Sequence, residues 1–438
     1  MRSIQSFLRK AEEVIEKIKT VKPYGKVTKA VGLIVESVGI EASIGDICEI
    51  ITDQKTIEAE VVGFRNGTIL LSPLGEVYGI KSGTPIALKG KQSYIPLNND
   101  ILGRVIDGIG NPVDGGGPLK GRPFPIYKDA INPLEREIIK EPLDLGIRAI
   151  NALITCGKGQ KIGIMAGSGV GKSVLLGMIA RYTSADINVI ALIGERGREV
   201  REFIENDLAD GLKKSVVVVS TSDTPALARI RGAFLATAIA DYFRLQGKDV
   251  LLLMDSLTRF AMAQREIGLA AGEPPTMKGY PPSVFNLLPK LLERVGVIKN
   301  GGSITGIYTV LVEGDDLTDP VADAARSILD GHIVLSRDLA NRNHYPAIDP
   351  LKSISRLMKD IVDKTHLKYA GKLLDILATY AKYEDIINIG AYKEGTNSQV
   401  DMAIKMMDKI NSFLRQNIGE KSTFEESLKK LYSLFEES

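Results

Sequence analysis

Ala166-Gly167-Ser168-Gly169-Val170-Gly171-Lys172-Ser173 combines glycines, a lysine and a hydroxyl at the spacing of a phosphate-binding loop, with Ala166 standing where the pattern's first glycine would be. Each type has a task. The glycines let backbone N–H groups close around phosphate oxygens, and a following helix adds the partial positive charge of its N-terminus. Lys172 is placed to reach the β- and γ-phosphates of a nucleoside triphosphate, and Ser173 to bind Mg²⁺.

Other candidates lie downstream. Val250–Asp255 is an apolar run ending in one carboxylate. The C-terminal end of a strand is where an open parallel sheet keeps its ligands, so Asp255 is a candidate for organising Mg²⁺ through its hydration shell. Glu195 and Arg196, in IGERGRE, admit two readings. One is a carboxylate that polarises an attacking water beside a guanidinium that meets charge on a γ-phosphoryl group; the other is a solvated cluster of paired charges. Tyr345 and Arg356 have the chemistry to stack on a base and to neutralise a transition state. By type alone, neither is distinguished from a packing tyrosine and a surface arginine.

The elements that must position these groups follow from patterning. Lys161–Met165, Val189–Ile193, Val216–Ser220, Val250–Met254 and Ser303–Val312 are near-continuous apolar runs separated by helical patterns, which predicts a parallel sheet covered on both faces. Upstream, short β-rich runs (Val31–Val35, Ile57–Phe64, Thr68–Ser72, Pro85–Leu88) and an Asn66-Gly67 turn predict a small closed barrel or sandwich. Leu102–Pro125, dense in glycine and proline, reads as an ordered loop. Apolar residues from Ile4 to Ile18 recur every three or four positions, predicting an amphipathic helix. Past Lys359 the pattern is helical, with Phe424, Leu428, Leu431 and Phe435 on one stripe. The expected organisation is multidomain α/β: a helix over 1–22, a β-barrel over 23–92, a phosphate-loop domain with a mostly parallel sheet over 93–360, and a helical domain over 361–438.

Composition excludes several classes. The chain has 438 residues, 44% hydrophobic and 25% charged, which fits folded domains and not disorder. Its formal net charge of +2 gives no whole-protein drive toward nucleic acid or an anionic membrane. Cys48 and Cys156 offer neither a disulfide framework nor metal-ligand spacing, and His332, His344 and His366 are too few for a histidine metal centre. No stretch reaches the roughly 18 apolar residues of a membrane span, and the charged N-terminus lacks a signal-peptide core. A soluble cytoplasmic protein is expected.

The loop AGSGVGKS, the run GERGREV, the segment DSLTRFAMAQREIGLAAGEPPTMKGYPPSVFNLLPKLLERVG, the stretch VLVEGDDLTDPVADAARSILDGHIVLSR and the block PAIDPLKSIS together resemble the catalytic subunits of the rotary-ATPase superfamily. Within it they resemble type III secretion ATPases, most closely the flagellar protein-export branch, from about Tyr24 to Ile404. The resemblance implies that Gly167, Ser168, Gly169, Val170, Gly171, Lys172 and Ser173 hold the phosphates of ATP. It implies further that Glu195 is the catalytic glutamate, Arg196 a γ-phosphate contact, Asp255 the acidic residue of the Mg²⁺ site, Tyr345 the adenine-stacking aromatic, and Arg356 an arginine finger acting on the neighbouring subunit's nucleotide. The implied assembly is a homohexamer on the cytoplasmic face of a membrane export apparatus. Implied partners are a regulatory protein at the N-terminal helix, a central stalk protein, export-gate membrane proteins, and export substrates with their chaperones; nucleic acid is not among them.

The leading expectation is therefore Mg-ATP hydrolysis coupled to protein export, flagellar rather than virulence-type. A proton-driven ATP synthase subunit shares the site but would carry an acidic C-terminal motif absent here. A non-hydrolysing ring subunit would carry Gln at position 195, and a nucleic-acid translocase would want basic surfaces and barrel aromatics. Two departures from the family wording, Leu145 and Asn151, concern local loop bonding and not the phosphate chemistry.

Overall fold

The computed structural model describes residues 24–90, 93–312 and 319–436. The helix expected over 1–22 lies outside them. The chain divides into two units, Met1–Ser93 and Tyr94–Ser438.

In the first unit six strands close into a barrel in the order β1-β2-β5-β4-β3-β6. They are β1 (Tyr24–Val31), β2 (Ile34–Val38), β3 (Ile47–Ile51), β4 (Thr56–Arg65), β5 (Thr68–Pro73) and β6 (Pro85–Gly90). Alternation drives closure: Ile57, Ala59 and Val61 of β4 point inward and pack with Val27, Val35, Ile50, Leu71 and Ile86. The Asn66-Gly67 turn joins β4 to β5 with both residues at positive φ, 49° and 77°, as a two-residue hairpin with matching twist requires. Val31–Val35 is not one strand. Gly32 at φ 57° turns the chain there, and Val31 pairs with Ile34 across the resulting hairpin.

The second unit is built on a nine-stranded sheet in the order β17-β16-β10-β15-β13-β11-β12-β8, with the short β14 (Gly296–Val297) pairing β15. Its parallel members are β8 (Val105–Asp107), β10 (Lys161–Ala166), β11 (Ile187–Ile193), β12 (Ser215–Ser220), β13 (Asp249–Asp255), β15 (Ser303–Leu311) and β16 (Gly331–Leu335). β17 (Ile348–Ser355) runs antiparallel at the edge. The region Leu102–Pro125 is more ordered than its glycine content suggests. β8 extends the main sheet, and β9 (Arg122–Pro125) pairs with β7 (Tyr94–Leu97) in a separate ribbon.

The core strands are buried on both faces, and the apolar helix Ala226–Arg244 packs over β11, β12 and β13. This helix also carries charge inward: Asp241 accepts hydrogen bonds from Arg244 at 2.5 Å and Arg294 at 2.5 Å, so two buried guanidinium groups share one carboxylate. Cys48 and Cys156 are buried free thiols. His344 and His366 are packed and His332 is half-buried, all three held below the ordinary imidazole range chiefly by burial.

Helices Lys364–Asn388, Ser398–Leu414 and Phe424–Glu436 follow the sheet. Among the described residues no helix is long and apolar enough to cross a membrane. The last helix reaches the buried helix Arg148–Leu153, and Asn151 ties the two regions together. Its Oδ1 accepts from the Leu145 backbone, while Nδ2 donates to Asp144 at 2.8 Å and to the Ser422 carbonyl at 3.2 Å. An aspartate there would have no N–H to give to either, so the departure at position 151 belongs to this amide bridge.

Candidate active site

β10 delivers the glycine loop at its C-terminal end, and the helix Lys172–Tyr182 begins at once beyond it. Gly169 and Gly171 take φ of 77° and 84°, conformations that side chains with a Cβ resist. No side chain caps this helix, and its first backbone bond is Leu175 N–H to Gly171 O. The preceding N–H groups are thus left for an anion. Ser168, Gly169 and Ser173 are exposed at the mouth of this cradle.

Beneath the loop the sheet brings three ionisable groups together. β15 lies between β10 and β13, and Leu192 of β11 pairs with Asp255, so the ends of β10, β11 and β13 converge. Lys172 Nζ lies 2.5 Å from Asp255 Oδ1 and 3.7 Å from Glu195 Oε1. Thr309 of β15 donates its hydroxyl to the same Asp255 oxygen at 2.6 Å. Burial pushes the Glu195 carboxyl up to about 7, the charge of Asp255 adds to the rise, and Lys172 opposes it. Glu195 Oε1 faces the Lys172 ammonium at 3.7 Å but has no hydrogen-bond partner among the described residues, which leaves a buried acceptor unsatisfied. Hard oxygen donors from Ser173 and Asp255 beside an anion cradle suit Mg²⁺, which keeps most of its waters and takes few protein ligands.

Tyr345 also comes to the loop. It sits just before β17, and its ring edge would touch a Cβ placed on Gly171 at 3.3 Å. With Gly169 and Gly171 it lines a cavity of about 1120 Å³ whose far wall includes Arg148, Asn411, Ser412 and Arg415. Gln416 fixes this wall: its backbone N–H donates to the Tyr345 carbonyl at 3.0 Å, and its amide bonds Gly146 and Arg148.

Two of the expected residues do not join the cluster. The Arg196 side chain is 81% exposed and pairs only with Glu199, at 3.7 Å, because its backbone starts a short helix that leaves the sheet. Arg356 stands at the opposite end of β17 from Tyr345. Ile348 pairs with Leu335 near the loop, whereas Ser355 pairs with Gly331 at the start of β16. β17 bulges between Asp349 and Ile354, so its ends lie opposite residues four apart on β16, roughly 13 Å, and Arg356 is at the other edge of the sheet from its own chain's glycine loop. The exposed guanidinium donates to the Arg326 carbonyl at 3.3 Å, and no described carboxylate pairs with it.

Sequence reasoning did not single out Thr309, Arg259 or Gln416. The Arg259 stem packs over Gly194, beside Glu195, and its Nε is buried without a partner. It stands in the DSLTRF run, where a cation directly after the Asp255 strand was the available signal.

A parallel sheet with a glycine cradle at its carboxyl end and a lysine–carboxylate cluster beneath defines a phosphate-loop nucleotide-binding domain. Comparison with known families narrows this. Residues 146–355 match the ATP synthase alpha/beta family nucleotide-binding domain, 27–90 the beta-barrel domain of the same family, and 362–433 the T3SS EscN ATPase C-terminal domain. The flagellum-specific ATP synthase of Bacillus subtilis (strain 168) is 53% identical over 96% of this chain and 97% of its own length. The type 3 secretion system ATPase of Xanthomonas euvesicatoria is 49% identical over 95% of each chain. The assembled ATPase EscN of enteropathogenic E. coli, solved in complex with its central stalk EscO, superposes with a TM-score of 0.86 at 46% identity, over 94% of this chain and 99% of that one. The chain belongs to the ATP synthase alpha/beta family, in the branch of flagellum-specific ATP synthases and type III secretion ATPases, and is an ATP-hydrolysing P-loop enzyme.

Proposed function

We propose that this chain hydrolyses Mg-ATP for a type III protein-export apparatus of the flagellar kind, as one subunit of a homohexamer on the cytoplasmic face of the membrane. The observation that carries the reading is the buried cluster of Lys172, Asp255 and Glu195 under an uncapped glycine cradle. The backbone of Gly167–Ser173 holds the phosphates, and Lys172 turns its ammonium from the carboxylates toward the γ-phosphoryl oxygens. Ser173 and Asp255 would hold Mg²⁺, which would supply charge neutralisation to the phosphates. Glu195, whose Oε1 has no hydrogen-bond partner among the described residues, orients the attacking water in line and accepts its hydrogen bond. Arg196 is the γ-phosphate contact on this reading, and its exposed side chain, held only loosely by Glu199, is free to reorient.

Arg356 serves a neighbouring chain's nucleotide, and its distance from its own loop, its exposure and its lack of a carboxylate partner among the described residues support that role. Tyr345 stacks on adenine. A central stalk protein fills the ring, in keeping with the EscN–EscO complex. A regulatory protein at the N-terminal helix, export-gate proteins, and substrates with chaperones complete the set of partners, which includes no nucleic acid. The similar identity of the Xanthomonas type 3 secretion ATPase keeps virulence-type secretion as the second reading.

The test mixes two inactive variants. Glu195→Gln chains keep a finger but lack the water-orienting carboxylate, and Arg356→Ala chains have the reverse defect. Rings containing both should recover part of the wild-type phosphate release. No recovery in rings shown by mass to be mixed would end the trans assignment of Arg356.

A further inference from the structure

We propose that Gln160 is a positioning residue for Arg356, and so acts on the neighbouring subunit's site and not on its own. The inference rests on the trans reading of Arg356 given above. Gln160 is fully buried one residue before β10, the strand that carries the glycine loop. A glutamine so placed would ordinarily be assigned to that loop. Its hydrogen bonds run the other way.

Gln160 Oε1 accepts from the Gly157 backbone at 2.7 Å, which fixes the orientation of the amide. Nε2 then donates to the Ser355 hydroxyl at 3.0 Å and to the Asp330 carbonyl at 3.2 Å. Ser355 immediately precedes Arg356, and the same Asp330 carbonyl accepts the Arg356 backbone N–H at 3.0 Å. Asp330 is itself held from both sides by Lys161: its carboxylate accepts the Lys161 N–H at 3.0 Å, and its own N–H donates to Lys161 O at 2.7 Å. One buried amide therefore grips both anchors of the residue that carries the guanidinium. Among the described residues the guanidinium has a single hydrogen bond of its own, to the Arg326 carbonyl at the far end of the helix Pro320–Ile328. A long exposed side chain with so little to hold it depends on where its backbone is set, and misplacing a transition-state charge by about 1 Å can cost on the order of 100-fold in rate.

The proposal separates cleanly from a structural role by complementation. Gln160→Met keeps the volume and removes both donors. On its own it should lower kcat for ATP hydrolysis roughly 10- to 100-fold, with KM for ATP changed by less than about twofold. In mixed rings with Glu195→Gln it should regain activity as Arg356→Ala does, because each defect then falls on a different site. Ser355→Ala, at a partly exposed strand end, tests the same grip with little risk to folding and should show a smaller kcat loss that is rescued in the same way.

If Gln160 instead supports its own glycine loop, KM rises and mixing with Glu195→Gln restores nothing, while Arg356→Ala still complements. That pattern overturns the inference and leaves the trans finger standing. Failure of Arg356→Ala itself to complement in proven mixed rings overturns both.

Discussion

Glu195 is a carboxyl that the fold holds in an unfavourable place, and the cost should be measurable without nucleotide. Its pKa rises from 4.5 to about 7, first from burial and then from the neighbouring Asp255 charge. In the unfolded chain the group ionises near 4.5, so between 4.5 and 7 the folded protein retains a proton that the unfolded chain has lost. Stability attributable to Glu195 therefore falls as pH climbs through that window and is lowest above it. At 1.36 kcal/mol for each tenfold change in proton affinity, the full swing is about 3 kcal/mol. Glu195→Gln removes the titration and leaves a constant offset from the replaced hydrogen-bonding group. Urea denaturation of nucleotide-free protein, wild type against Glu195→Gln at intervals from pH 4.5 to 8, should show the variant gaining steadily on the wild type up to about pH 7 and then running parallel. The slope of the difference carries the information, so the offset does not interfere. Wild-type and variant curves that stay parallel across the whole range would refute the electrostatic account, since they would mean that Glu195 ionises as freely folded as unfolded.

Tyr345→Ala should raise KM for ATP by about 5- to 150-fold, the loss of one base–aromatic stack at about 1–3 kcal/mol, while kcat changes little; Tyr345→Phe should restore KM because the ring face is what binds. An unchanged KM in the alanine variant would remove the ring from base binding. Asn151→Asp should lower stability by about 1–3 kcal/mol above the pKa of the new carboxyl, because the donor to Asp144 and to the Ser422 carbonyl is replaced by an acceptor. Thermal denaturation at pH 8 and pH 5 checks it, and the deficit should shrink at the lower pH as the acid protonates.

What was legible in the sequence follows from what is local. The five apolar runs of the central sheet were readable because strands buried on both faces need no partner to declare themselves. The glycine loop was readable because positive φ and anion contact demand particular residue types in order. The edge strand β17 was not, since its mixed polar and apolar residues meet solvent on one side, and it gives no clean alternation. Nor was the cavity wall: the Arg148 N–H meets Gln416 Oε1 across 268 residues, and nothing in a helical stripe at the C-terminus says which loop it will close. Thr309 was hidden for the opposite reason, as one of four hydroxyl residues in a buried strand, of which register alone sets Thr309 beside Asp255.

The orientation of β17 has the largest consequence of these. Tyr345 and Arg356 flank a single strand, and the antiparallel turn that places Tyr345 at the glycine loop necessarily carries Arg356 to the opposite edge of the sheet. The two ends are roughly 13 Å apart along the sheet and the Arg356 guanidinium turns to the Arg326 carbonyl, which sets it away from the nucleotide that Tyr345 would hold. On the proposed reading, base recognition is then a property each subunit holds alone, and completion of the transition state is a property of the ring. Gln160 sits where those two properties meet, one residue from the strand that binds phosphate and within hydrogen-bonding distance of the strand that ends in the finger.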